Sequence, residues 1–180
     1  MHHTLNRRGF LRCLAGAALA GVAPVTLARQ VDRGERIVAL HHLHTGESLE
    51  AAYWLDGRYR PAVLGQINSL LRDHRTGDVH EMDAALLDQL YLLQRAAKVE
   101  RPFEIISGYR SPQTNAGLRQ ASSGVAKRSL HMEGQAMDVR LPGYRLQKLR
   151  ESALALKAGG VGYYPKSNFV HIDTGRVRYW

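Results

Sequence analysis

Two histidines and one aspartate, His131, Asp138 and His171, have the types and spacing of a metal-ligand set. Catalytic zinc sites commonly use three nitrogen or oxygen ligands from the protein and keep a fourth position for water. A histidine near an aspartate is also a common hydrogen-bonded structural pair. The spacing by itself therefore leaves both interpretations open.

Two predicted strands and one loop would bring these three side chains together. Polar and apolar residues alternate over 136–141, which places the aspartate on the face opposite the apolar side chains. The same alternation over 169–173 puts the second histidine on one face together with Asp173. Gly134 permits a tight turn after the first histidine, which would arrive from the preceding loop.

The remaining chain has the pattern of an α+β domain. Predicted helices cover residues 61–74, 84–97, 112–121 and 144–158, and further predicted strands cover 36–43, 49–54, 104–107, 161–164 and 177–180. The order and spacing of these elements predict N-terminal helices packed on a mostly antiparallel sheet.

Two polar clusters outside the metal-ligand set have simpler structural interpretations. His41, His42 and His44 are expected to be exposed or half-buried, because adjacent strand residues point to opposite faces. The run 72–75 is expected to be the solvated end of the first helix.

Composition and charge narrow the function classes. The 180 residues carry a net charge of +9, with 44% hydrophobic and 23% charged residues, which is typical of a globular chain. Without residues 1–28, which hold three arginines and no acid, 22 basic and 16 acidic side chains remain. A basic surface suits an anionic partner, such as nucleic acid or a carboxylate-rich wall polymer. Nucleic acid ranks low because no dense Lys/Arg run or nucleic-acid motif is present.

The first 28 residues have the pattern of an export signal. Arg7 and Arg8 precede Phe-Leu and a short apolar run, which resembles a twin-arginine signal. Cleavage after Ala28 would leave 29–180 as a single domain in the periplasm, and retention as an uncleaved anchor stays open. The only cysteine is Cys13, so the exported domain would have no disulfide, no thiolate nucleophile and no cysteine-ligated zinc.

Several separated motifs in this chain resemble the zinc D,D-peptidase family. Its members include D-alanyl-D-alanine carboxypeptidases, VanX-type dipeptidases and phage endopeptidases, and the YcbK/MepK-like branch of exported murein endopeptidases is the most similar. The matching segments are His44–Glu47, Ser107–Ser111, Ser129–Asp138, Gly160–Pro165 and Asn168–Gly175. The resemblance covers nearly the whole chain and implies a hedgehog/D,D-peptidase-like fold.

The resemblance implies a role for each matched position. His131, Asp138 and His171 correspond to ligands of Zn²⁺, and Arg110 corresponds to an arginine that polarises the scissile carbonyl and stabilises the oxyanion. Without the resemblance, Arg110 would be interpreted as part of a surface salt bridge.

The activity implied is that of an exported zinc metallopeptidase that hydrolyses peptide cross-links of peptidoglycan. Both D-alanine–diaminopimelate and diaminopimelate–diaminopimelate cross-links stay open as substrates. The expected partner is the peptide stem of peptidoglycan. We expect a monomer that binds neither nucleic acid nor, once the signal is removed, a membrane.

One position departs from the family pattern. Many relatives carry Asp or Glu three residues before the last histidine ligand as the general base, whereas this chain has Asn168. Asp173 is the first candidate to replace it and Glu133 the second, although Asp173 could instead orient a ligand. The metal alone could also acidify the water sufficiently. The departure keeps a rival interpretation open, a non-catalytic, zinc-containing peptidoglycan-binding protein.

Overall fold

Eight strands form one sheet in the computed structural model, which describes residues 34–121 and 124–180. The strands are β1 (Arg36–His42), β2 (Ser48–Leu55), β3 (Arg58–Tyr59), β4 (Phe103–Ser107), β5 (Ala136–Arg140), β6 (Gly160–Tyr164), β7 (Phe169–Asp173) and β8 (Arg178–Tyr179). Their order across the sheet is β3-β2-β1-β4-β5-β7-β6-β8. Only the β1–β4 and β6–β8 pairs are parallel in this part of the chain, so the predicted mostly antiparallel sheet is confirmed.

Four α-helices and one 3₁₀ helix accompany the sheet in the described residues. They are α1 (Pro61–Leu70), α2 (Ala84–Ala97), α3 (Pro112–Ala121), the 3₁₀ helix (Leu130–Glu133) and α4 (Leu146–Leu156). Helix α1 packs on β2, α2 packs on β1 and α4, and α4 packs on β6 and β7. The α+β class is confirmed. The expected N-terminal helices are not confirmed in the described residues, where β1, β2 and β3 precede α1. None of the helices described is long and apolar enough to span a membrane.

The core is built from the apolar stripe of α2 and the inner face of the central strands. Four of the five residues at helical spacing in the predicted helix 84–97 are buried, namely Leu86, Leu87, Leu90 and Leu93, and Ala97 is half-buried. The four leucines belong to one hydrophobic cluster with side chains of β4, β5 and β7. Because these central strands pack against the cluster, they form a rigid support for polar side chains on their other face.

Two helix boundaries follow the prediction closely. Asp83 caps α2, since its side chain accepts a hydrogen bond from the amide of Ala85 at 2.9 Å. Ser111 accepts from the amide of Thr114 at 3.2 Å and thereby caps α3, which begins at Pro112 as predicted.

Helix α1 ends at Leu70, four residues earlier than predicted, and the residues that follow are not a solvated end. Asp73 is 1% exposed and accepts hydrogen bonds from the amides of Arg75 and Ser111 at 2.9 and 2.8 Å. The expectation for 72–75 is thus wrong at Asp73. This carboxylate binds a backbone amide 38 residues away, a contact that helical spacing does not indicate.

Among the histidines near β1, His41 is half-buried and His44 is exposed as expected, whereas His42 differs. His42 is fully buried, and its ring centroid lies 5.9 Å from that of His44 and 5.7 Å from that of His74. The rings of His44 and His74 stack at 4.0 Å. The amides of His44 and Thr45 donate to His42 Nδ1, so this ring holds the β1–β2 turn.

Candidate metal centre

The pairing of β5 with β7 places two of the three candidate ligands side by side. Asp138 lies directly opposite His171 in this antiparallel pair, and Ala136 lies opposite Asp173. Directly opposed residues of an antiparallel pair have Cβ atoms only about 5 Å apart. Their side chains therefore meet on one face in the middle of the sheet.

The third candidate reaches the same point from the 3₁₀ helix. Gly134 ends that helix with a φ of 65°, and a Cβ there would lie 2.0 Å from the carbonyl oxygen of Glu81. Only glycine therefore fits this turn. The amide of Arg110 donates to the carbonyl of His131 at 3.1 Å, which holds the helix against the end of β4.

The three ligand atoms form a compact triangle. His131 Nε2 lies 3.2 Å from His171 Nδ1 and 3.3 Å from Asp138 Oδ1, and the last two atoms are 2.9 Å apart. Ligands bound tetrahedrally at about 2.1 Å from one zinc ion stand about 3.4 Å from each other. The observed spacings are close to this value. Among the residues that the structure describes, this is the one group of three such side chains suited to a shared ion.

Hydrogen bonds on the far side of each imidazole determine which nitrogen faces the triangle with a lone pair. His131 Nδ1 lies 2.8 Å from the carbonyl oxygen of Gly108, which can only accept, so the proton is on Nδ1. His171 Nε2 lies 3.1 Å from Asp173 Oδ2, so Asp173 favours the tautomer with its proton on Nε2. Two nitrogen lone pairs and one carboxylate oxygen then converge. Such an arrangement repels itself unless a cation lies between the three atoms, so the donor set fits a metal ion.

Asp173, one of the two predicted bases, lies behind His171 rather than in front of the triangle. Its side chain is 0% exposed. It also accepts hydrogen bonds from the amides of Gly160 and Gly175 and from both terminal nitrogens of Arg178. All of its acceptor positions are used in holding these groups. Of the two roles left open by the sequence, this geometry favours the orientation of His171.

Electrostatics keep the carboxylates of this centre ionised. Burial would raise the pKa of Asp138, but its interactions with the imidazoles of His131 and His171 hold that pKa well below its usual range. Burial likewise opposes ionisation of Asp173, yet hydrogen bonds from His171, Arg178 and two amides keep its pKa well below the usual value. The pKa of His171 is raised despite its burial, because Asp138 and Asp173 both stabilise the protonated ring.

Arg110 stands beside the triangle, as the resemblance implies. Its Nη2 atom lies 3.7 Å from Asp138 Oδ2, and its side chain is 12% exposed. Burial lowers the pKa of this guanidinium, while the charge of Asp138 opposes that shift. A buried, positively charged group at this position can stabilise negative charge that develops next to the metal centre.

A cavity of about 620 Å³ opens in front of the three ligand atoms. Its size is typical of a pocket for a small molecule or a short peptide segment. The wall beyond the polar centre is formed by Leu118, Val125, Tyr164, Phe169 and Trp180. Asp138 contributes the single carboxylate of this lining in the described parts of the chain.

Glu133, a candidate base, and Asn168, the departure from the family pattern, both lie outside the cavity lining. Glu133 is exposed at the end of the 3₁₀ helix and does not line the cavity. Asn168 lies in the β6–β7 turn with a φ of 55°, a backbone conformation that asparagine tolerates better than most residues. Aspartate tolerates this conformation as well, so the turn by itself does not explain the amide.

The three tyrosines of the matching segments, Tyr109, Tyr163 and Tyr164, have different surroundings. Tyr164 lines the cavity, whereas Tyr163 points to the other face of β6, where Arg150 lies 5.4 Å from its ring. Tyr109 stacks on His80 with centroids 4.6 Å apart. Sequence reasoning did not single out Trp180, which also lines the cavity. The alternation of β6 was a signal for Tyr164, but no local pattern indicated the tryptophan.

Comparisons with known proteins agree with the resemblance seen in the motifs. The sequence model of the family described as peptidoglycan L,D-endopeptidase MepK matches residues 30–180. The peptidoglycan L,D-endopeptidase MepK of Escherichia coli K12 is 48% identical over 178 residues, which cover 97% of each chain. A probable peptidoglycan L,D-endopeptidase MepK of Haemophilus influenzae is 42% identical over 178 residues, covering 97% of this chain and 95% of that one.

Proposed function

The chain belongs to the peptidoglycan L,D-endopeptidase MepK family, and on that premise we propose that it hydrolyses peptide cross-links of peptidoglycan as a zinc metallopeptidase. The observation that carries this proposal is the triangle of ligand atoms 2.9–3.3 Å apart at the mouth of a cavity. His131, Asp138 and His171 are the proposed ligands. The donor set of two imidazoles and one carboxylate suits zinc.

The names of the relatives favour one of the two cross-links that the motifs left open. A diaminopimelate–diaminopimelate bond joins an L-centre carbonyl to an amine on a D-centre, whereas a D-alanine–diaminopimelate bond joins two D-centres. The relatives are named L,D-endopeptidases. We therefore propose the diaminopimelate–diaminopimelate cross-link as the substrate.

We further propose that residues 1–28 are a twin-arginine signal and that 29–180 act in the periplasm as a single domain. The leader lies outside the described residues. The family match begins at residue 30, directly after the proposed cleavage site, which supports this division. The substrate class supports it too, because peptidoglycan lies outside the inner membrane.

In the proposed chemistry, the metal and the surrounding side chains have separate roles. Zinc bound here would supply a Lewis acid that lowers the pKa of water toward ~7 and polarises the peptide carbonyl. Arg110 would hold a fixed positive charge beside the carbonyl oxygen as negative charge develops on it. Asp173 would keep the proton of His171 on Nε2, so that Nδ1 stays available as a ligand.

Asp173 and Glu133 were the two candidate proton acceptors for this reaction. Asp173 has its acceptor positions filled, and Glu133 does not line the cavity. We propose that Asp173 is a positioning residue. Glu133 remains the protein carboxylate to be tested as the base, and the acidity supplied by the metal reduces the demand on any such group.

Digestion of defined cross-linked muropeptides tests the proposed function. Purified protein with zinc should cut the diaminopimelate–diaminopimelate dimer, a chelator should stop the reaction, and added zinc should restore it. His171→Ala should lose both turnover and zinc while its unfolding transition stays cooperative. Cleavage that a chelator leaves unchanged would refute the zinc mechanism. Preference for the D-alanine–diaminopimelate dimer would refute the substrate.

A non-catalytic peptidoglycan-binding protein is the second candidate, and Asn168 is the observation in its favour. An amide at this position cannot take a proton from water. The same digestion separates the two functions. Zinc content with binding to sacculi, but without release of muropeptides, would support the binding protein.

A further inference from the structure

Two aromatic side chains in the cavity wall are joined by a hydrogen bond. The indole Nε1 of Trp180 donates to the hydroxyl oxygen of Tyr164 at 2.7 Å. An indole nitrogen can only donate, so the phenol oxygen is the acceptor and keeps its own hydrogen for another partner. Among the described residues, this indole is the one hydrogen-bond partner of the hydroxyl. The hydroxyl is therefore an available donor whose oxygen is held in place.

The tryptophan that holds this hydroxyl is itself fixed by the end of the sheet. Its amide donates to the carbonyl of Val161, and its carbonyl accepts from the amide of Tyr163. A Cβ at Gly162 would lie 2.7–2.9 Å from three indole atoms, so the ring lies directly on the glycine backbone. Glycine at this position in β6 allows the ring to reach the cavity.

A chain of charged contacts connects the same tryptophan to the metal centre. The guanidinium carbon of Arg178 lies 5.0 Å from the Trp180 ring centroid, and Arg178 Nη2 donates to Asp173 at 2.7 Å. The Trp180 ring centroid is 5.2 Å from that of His171. The group that orients the phenol is thus built on the same framework that orients one ligand.

Tyr164 lines the cavity together with the three ligands and Arg110. Two hydrogen-bond donors, one charged and one neutral, therefore bound the space into which a substrate carbonyl must enter. A donor fixed before the reaction is effective because it needs no reorganisation as charge develops.

We propose that Tyr164 is a further catalytic residue, which donates a hydrogen bond to the carbonyl oxygen of the scissile peptide bond as negative charge forms on it. Trp180 is the positioning residue for this donor. The proposal rests on the proposed function. It concerns a hydrogen bond only, and Tyr164 keeps its proton throughout.

The Tyr164 ring would pack in the same way without its hydroxyl group. The Tyr164 ring stacks on Phe169 with centroids 4.5 Å apart and an interplanar angle of 20°. A phenylalanine at position 164 would keep this contact, so removal of the oxygen tests the hydroxyl alone. Tyr163→Phe is the matched control, because it removes a neighbouring hydroxyl from the opposite face of the same strand.

Steady-state cleavage of the diaminopimelate–diaminopimelate dimer by the zinc-loaded protein tests the proposal. Tyr164→Phe should lower kcat by about 100-fold, the range for loss of one oxyanion donor, with KM changed less than threefold. Zinc content and thermal midpoint should match the wild type, and Tyr163→Phe should keep wild-type kcat. Trp180→Phe should lower kcat by about tenfold with zinc retained, since the donor remains but loses its orienting partner.

A transition-state mimic supplies a readout other than turnover. A phosphinate analogue of the cross-link should lose about 100-fold in affinity for Tyr164→Phe, and an uncleaved substrate analogue should lose less than threefold. Equal kcat for Tyr164→Phe and wild type would overturn this proposal alone. A rise in KM with unchanged kcat would also overturn it. Failure of the wild type to cut either cross-link would refute the proposed function and this proposal with it.

Discussion

Replacement of Asp173 by asparagine separates the two roles that the sequence allowed for this carboxylate. Oδ1 accepts from the amides of Gly160 and Gly175 and from Arg178 Nη1, whereas Oδ2 accepts from His171 Nε2 and Arg178 Nη2. The amide oxygen of asparagine should take the position with three donors. Its NH₂ group then faces His171 Nε2 and favours the tautomer that carries the proton on Nδ1, the ligating atom.

The magnitude follows from these contacts. Loss of a group that orients a metal ligand typically lowers metal affinity by about 10–100-fold, or about 1.4–2.7 kcal/mol. The lost charge-assisted hydrogen bond from Arg178 should also lower the free energy of unfolding by about 1.5–3 kcal/mol. Because the effect acts through metal binding, saturating zinc should restore most of kcat.

Three measurements on wild type and Asp173→Asn test this reasoning: zinc affinity by competition with a chromophoric chelator, urea unfolding, and kcat at saturating zinc. Asp88→Asn is the matched control, because Asp88 accepts hydrogen bonds from Arg36, Tyr53 and Tyr59 outside the metal centre. It should lose stability and keep zinc affinity. Unchanged zinc affinity in Asp173→Asn with a kcat lower by more than about 100-fold would refute the positioning role and identify Asp173 as the base.

Other substitutions test separate parts of the structure. Arg110→Ala should lower kcat by about 100-fold with zinc still bound, and loss of zinc would instead indicate a structural role. Glu133→Gln should leave kcat within about threefold of wild type, whereas a 100-fold loss would identify this carboxylate as the proton acceptor. Asp73→Ala should cost about 2–3 kcal/mol at pH 7 from two lost backbone hydrogen bonds. Burial raises the pKa of Asp73, but hydrogen bonds from Thr114, Arg75 and Ser111 outweigh it and keep that pKa below the unfolded value of ~3.9. The ionised carboxylate therefore stabilises the fold above pH ~4, and this stabilisation is lost as the pH falls further. The stability difference between Asp73→Ala and wild type in urea unfolding should therefore shrink below pH ~4, and a constant difference down to pH 2 would contradict this assignment.

The strands that carry the metal centre were predictable because their signal is local. Alternation over 136–141 placed Asp138 on the polar face of its strand, and alternation over 169–173 placed His171 and Asp173 together on one face of theirs; both strands formed as expected. The starts of α2 and α3 were predictable too, because the capping residues Asp83 and Ser111 directly precede these helices. Each of these features depends on contacts within a few residues, which a periodic pattern records.

The end of α1 shows where local patterns stopped being informative. The run after Leu71 is polar and suits a solvated end, yet Asp73 is buried because it accepts the amide of Ser111. The buried His42 is a similar case, since its surroundings include His74 from a distant segment. Burial of a polar group depends on partners far away in sequence, which composition does not reveal.

The amino-acid sequence by itself determined the donor types of the candidate metal centre and the strand faces from which Asp138 and His171 project. The tertiary structure decided which nitrogen of each histidine faces the shared point, because Gly108 and Asp173 contact the other nitrogen of each ring. It also decided that Asp173 lies behind a ligand and that Trp180 holds the hydroxyl of Tyr164. Residue types and periodicity are properties of short segments, whereas a hydrogen-bond direction exists only once distant segments are packed together.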